Sequence, residues 1–127
     1  MRMKMVATAI VLMGVLALCH FAQAAITTRT EVMRAFAIRA DYALSQAAFD
    51  QAIADIDALI DYAAAHRAVM EVLTMHGDLN AATSSAMQAR LCAQYRDAQS
   101  ARSAIRELMD ALVMLDERQQ LTVGNLL

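Results

Sequence analysis

The sequence predicts an all-α protein, a long antiparallel helical hairpin or a three-helix bundle, behind an N-terminal export signal. Three observations carry this. The chain has no proline, and after residue 24 only Gly77 and Gly124 interrupt an alanine-rich composition suited to uninterrupted helix. Apolar residues recur alternately three and four apart over two long stretches, as in a coiled-coil seam. Signals for strands are absent.

The first element is the export signal, residues 1–24. Arg2 and Lys4 form a positive n-region, Met5 to Phe21 is almost wholly apolar, and Ala22-Gln23-Ala24 is an A-x-A site for a signal peptidase. Cleavage is expected before Ala25. The alternatives are a retained anchor, since the run approaches the ~20 residues of a membrane span, and a lipoprotein. Leu16-Ala17-Leu18-Cys19 outlines a lipobox, but Leu18 stands where a small residue is normal.

The helical domain, residues 25–127, opens with Thr28-Arg29-Thr30-Glu31. This is an S/T-x-x-E capping box, which places the start of a first helix near Arg29 and its end near 76. Its seam is Phe49, Ala52, Ile56, Leu59, Ala63, His66, Met70 and Leu73. Upstream, Met33, Phe36, Ala40, Leu44 and Ala47 run in a phase that slips before Phe49. A break near Ser45 to Asp50 gives three helices and no break gives the hairpin; the unbroken hairpin is preferred.

A turn is expected at about 77–80, where Gly77 suits a helix C-cap and Asp78 or Asn80 an N-cap. The second helix, about 81–119, carries the seam Ser84, Met87, Leu91, Gln94, Ala98, Ala101, Ile105, Leu108, Leu112 and Leu115, and stops before Thr122-Val123-Gly124. Folding back at Gly77 brings Asp50, Asp55, Asp57 and Asp61 near Arg96, Arg102 and Arg106. Such surface pairs are worth at most about 1 kcal/mol each, and those carboxylates are read as mainly solvated. Ile53, Ile60, Val69, Val72, Met109 and Val113 lie beside the seams and ask for further cover, from a second copy or a partner.

Charge narrows the partners. Arg2 and Lys4 are two of eleven basic residues, so a chain cut before Ala25 keeps nine against thirteen acidic ones, a formal charge of −4. Nucleic acid and anionic lipid surfaces call for clustered positive charge and are not expected partners of that domain. Cys19 leaves with the signal, so Cys92 can only stay free or bridge to another molecule.

Residues that could carry chemistry are few. Tyr62, His66 and Met70 share a helix face and could hold a soft metal, but one histidine at a seam position is better read as packing. His76, with Met75 and Asp78, is a weaker grouping of the same kind. No C-x-x-C-H, G-x-S-x-G or H-E-x-x-H occurs, and a long thin bundle offers no cleft for paired carboxylates. The chain also lacks the Trp-x-Gly turn of one class of secreted helical hairpins and the repeated L-T-x-x-Q of periplasmic stress chaperones. No catalytic residue, cofactor or metal is therefore expected. The sequence reads as an exported, non-enzymatic, periplasmic or secreted protein acting through protein contacts, such as an accessory subunit of an envelope secretion or conjugation assembly. The alternatives are a periplasmic inhibitor or immunity protein using Asp50 to Asp61, and a small metal or ligand carrier using His66 and Met70.

Overall fold

The computed structural model describes residues 2–73 and 76–126, with side chains described for 2–72 and 78–117. The helices are α1 (Arg2–Ser45), α2 (Phe49–Ala65), α3 (Arg67–Leu73), α4 (His76–Gln94) and α5 (Ala98–Leu126), and the described residues contain no strand. α1 packs on α2 and α5, and α4 packs on the same two helices. Across α1 and α5, Thr27 meets Asp116 and Asp41 meets Arg102; across α2 and α4, Asp50 meets Arg96 and Asp57 meets Arg90. Both orders are antiparallel, so the helices form an up-down-up-down four-helix bundle. α3 extends α2 beyond a kink at His66, whose N–H still reaches Tyr62 O and whose O still accepts from Met70 N.

The all-α class is therefore as expected, but the chain folds back at more places. α1 ends at Ser45 because Ala47 adopts the left-handed conformation, φ 56°, and closes a Schellman motif. In it, Ala48 N–H donates to Ala43 O and Ala47 N–H to Leu44 O. α4 ends the same way: Arg96 has φ 60°, Asp97 N–H donates to Cys92 O, and Arg96 N–H to Ala93 O. The slip before Phe49 is thus a full reversal, and the expected single helix over 29–76 is three helices. The expected helix over 81–119 is two, split by the reversal at Arg96; neither Ala47 nor Arg96 is the glycine that usually marks such an end, so the sequence does not announce either reversal.

The buried pattern of the first hairpin, and its reversal, recur 49 residues later. The buried positions Thr30, Met33, Ala37, Ala40 and Leu44 of α1 match Leu79, Ala82, Ala86, Ala89 and Ala93 of α4. Ala52, Ile56, Leu59 and Ala63 of α2 match Ala101, Ile105, Leu108 and Leu112 of α5. The bundle is two copies of one helical hairpin. In its upper half α1 and α4 contribute mainly alanine to the core, while α2 and α5 contribute Ile56, Leu59, Ile105 and Leu108. Small side chains on one diagonal pair of helices accommodate large ones on the other.

Four expectations are corrected by this packing. Ser84, Met87, Leu91 and Gln94 are exposed, because the reversal at Arg96 resets the phase and α4 turns its alanine face inward. The Thr28 capping box is unused, since α1 runs through it and Thr30 Oγ1 instead donates to Thr27 O at 3.0 Å. Gly77 to Asn80 lie in the first turn of α4 rather than between helices. α5 continues past Gln119 and Gly124 to Leu126, so no helix end falls there. Leu73, Met75 and His76, singled out in the sequence, lie outside the described side chains.

Candidate interaction surfaces

On α1, Ile38 and Tyr42 stand one turn apart and are 51% and 69% exposed. They edge a groove of about 580 Å³ between α1 and α2, floored by Ala43 and Ala48 and rimmed by Arg39, Gln46, Gln51 and Asp55. The groove exists because the chain reverses on two alanines, whose methyl groups fill little of the angle between the helices.

The matching positions on α4 are Met87 and Leu91, and the turn after α4 adds Tyr95, which stands where the first hairpin has Gln46. Met87, Leu91 and Tyr95 are 56%, 47% and 78% exposed, an apolar strip at i, i+4 and i+8. Cys92 flanks it, half-buried, with Gln88 Nε2 at 3.9 Å from its Sγ. α1 and α4 are diagonal in the bundle, so the two strips face opposite sides. The alanine core is what sends them outward: with small residues inward on α1 and α4, the larger apolar residues of those helices are left on the surface.

Ion pairs tie neighbouring helices around these faces. Arg96 Nη1 meets Asp50 Oδ1 at 3.2 Å, and its guanidinium lies 5.3 Å from the Phe49 ring centre. Arg90 pairs with Asp57, and Arg102 Nε with Asp41 Oδ1 at 3.0 Å. The hydrogen bond to Asp41, and then its charge, hold the Arg102 guanidinium above its usual pKa. Of the acidic run, Asp50 and Asp57 are thus paired between the hairpins, while Asp55 accepts from Gln51 within α2. Arg102 pairs with Asp41 on α1 rather than with that run. Beside it a polar groove of about 440 Å³ is lined by Ser45, Gln99, Arg102 and Arg106.

His66 is held by structure. Arg29 Nε donates to its Nδ1 at 3.1 Å, and its ring lies 4.2 Å from that of Tyr62. Met70 is fully buried in the core. The described residues hold no group of three His, Cys, Asp or Glu side chains placed for a metal ion.

Of the flanking residues that asked for cover, Ile53, Ile60 and Met109 pack on the core of the four-helix bundle. Val69, Val72 and Val113 remain 42%, 84% and 41% exposed. The strips on α1 and α4 were not apparent in the sequence, where Met87 and Leu91 sat in a heptad phase. The signal that exposes them is the repeated A-x-x-x-I-x-x-L-x-D, at 52–61 and again at 101–110, which reveals the duplicated hairpin and its reversals.

Fold and surface together define a duplicated-hairpin four-helix bundle with an apolar helical extension. The chain matches no family model, no curated protein and no solved structure.

Proposed function

We propose that this is an exported, non-enzymatic protein that works by presenting helix faces to other proteins, as an accessory subunit of an envelope assembly such as a secretion or conjugation apparatus. The observation that carries the reading is the pair of related apolar strips, Ile38 with Tyr42 and Met87 with Leu91 and Tyr95, exposed on opposite sides of the bundle. Contiguous exposed apolar surface on a small domain marks contact sites, and its aromatic members are the residue type that anchors interfaces. The place of the bundle is periplasmic.

The alternative, an inhibitor or immunity protein, rests on the acidic run of α2. It is the weaker reading, because Asp50 and Asp57 already pair with Arg96 and Arg90. A photo-crosslinking residue placed at Tyr42, at Leu91 and, as a control, at exposed Glu107 tests the proposal in exporting cells. Protein adducts at Tyr42 and Leu91 but not at Glu107 are expected. Adducts at neither strip, with the chain exported and folded, overturn it.

A further inference from the structure

α1 is one helix from Arg2 to Ser45, and its apolar window has a mean hydropathy of 2.2 with none of it buried. The apolar character has no single face. Ile10, Val11, Leu12 and Met13, successive residues about 100° apart around the helix, are each 61–70% exposed. A groove on a partner protein, or a second copy of the chain, would cover one side of such a helix; lipid covers all of it.

The lower end of the bundle also reaches into this segment. The inward stripe of α1, Ala37, Met33, Thr30 and Ile26, continues upstream at the same spacing to Gln23, Cys19 and Leu16, which are half-buried. Ala22 is half-buried as well as Gln23, so the cover that the bundle gives α1 includes the A-x-A site. A cut before Ala25 would leave Ile26, fully buried, as the second residue of the chain. The helix N–H groups of Ala25 to Thr28 would lose their acceptors, that of Ile26 against the core.

The length fits a bilayer. Met5 to Phe21 spans about 25 Å as helix, and Arg2 and Lys4 can extend to headgroups to complete the ~30 Å hydrocarbon core. Phe21, 75% exposed, closes the apolar run at the other end.

We propose that the apolar stretch of α1 is retained as a bilayer anchor, continuous with the bundle, so that the four helices stand as a rigid body on the membrane surface. This reverses the cleavage that the A-x-A site suggests. Which side the bundle occupies rests on the export reading, with Arg2 and Lys4 on the cytoplasmic side.

The test is intact mass, alkaline carbonate extraction and protease access to a C-terminal tag on spheroplasts, for the full chain and for Ala24→Phe, which blocks the peptidase site. A membrane-embedded chain that keeps residues 2–24, with its tag digested and Ala24→Phe behaving identically, is expected. A soluble chain beginning at Ala25, made membrane-bound by Ala24→Phe, overturns the anchor and leaves export standing. An embedded chain whose tag is protected supports the anchor and overturns export.

Discussion

Ala47 and Arg96, 49 residues apart, are related by the internal repeat, and each is a non-glycine residue in the left-handed region that ends its helix with the same pair of backbone hydrogen bonds. These two residues turn what reads as two long helices into four. The packing of alanine against Ile and Leu in the core, and the outward strips on α1 and α4, follow from where they place the reversals.

A left-handed residue with a Cβ costs about 1–2 kcal/mol, part of which glycine returns through its looser unfolded state. Ala47→Gly is therefore expected to stabilise the bundle by about 0.5–1 kcal/mol, read as a higher denaturant midpoint. Arg96→Gly gains the same backbone relief but loses the contacts to Asp50 and Phe49, so its midpoint should rise less.

The residue after each reversal caps the next helix, and here the two hairpins differ. Asp97 Oδ1 accepts from Ser100 N at 3.1 Å, whereas Ala48 has no side chain to offer. Ala48→Asp should stabilise by about 1 kcal/mol, measured by chemical denaturation at neutral pH.

The Ser100 hydrogen bonds, side chain first and backbone second, hold the Asp97 carboxyl below its usual range. Its contribution to stability is present in full above the unfolded pKa of about 3.9 and is lost as pH falls through the lower folded value. The stability gap between the wild type and Asp97→Asn should accordingly close on acidification. A gap that widened with falling pH would contradict the assignment.

Core truncations separate the true seam from the apparent one. Ile105→Ala and Leu108→Ala, at fully buried positions, should cost about 2–5 kcal/mol. Leu91→Ala, at a position 47% exposed, should cost less than about 1 kcal/mol. Ala86→Leu forces volume into the close contact of α4 with its neighbours and should destabilise by about 1–3 kcal/mol.

Much of the core was legible in the residues. Ala52, Ile56, Leu59, Ala63, Ala101, Ile105, Leu108, Leu112 and Leu115 were placed inward by spacing alone, and all are buried. The slip before Phe49 marked a weak point, though not a reversal. What spacing could not give was the inward face of α4: Ala82, Ala86, Ala89 and Ala93 carry too little hydrophobic contrast to outvote Met87 and Leu91. The strips were hidden for the same reason. His66, the one polar residue in its seam, proved to be held by Arg29 and Tyr62, partners from another helix and from the preceding turn that no local pattern announces.

The most direct test of this architecture is the distance between spin labels at exposed Arg34 on α1 and Asp61 on α2, with Cys19 and Cys92 replaced by alanine. A reversal at Ala47 sets these positions on neighbouring helices with axes about 10 Å apart, giving strong dipolar broadening. The pair Thr83 and Asp110, 49 residues further on, should behave alike. An unbroken helix would hold Arg34 and Asp61 about 40 Å apart, and a separation of that size would contradict the duplicated-hairpin bundle.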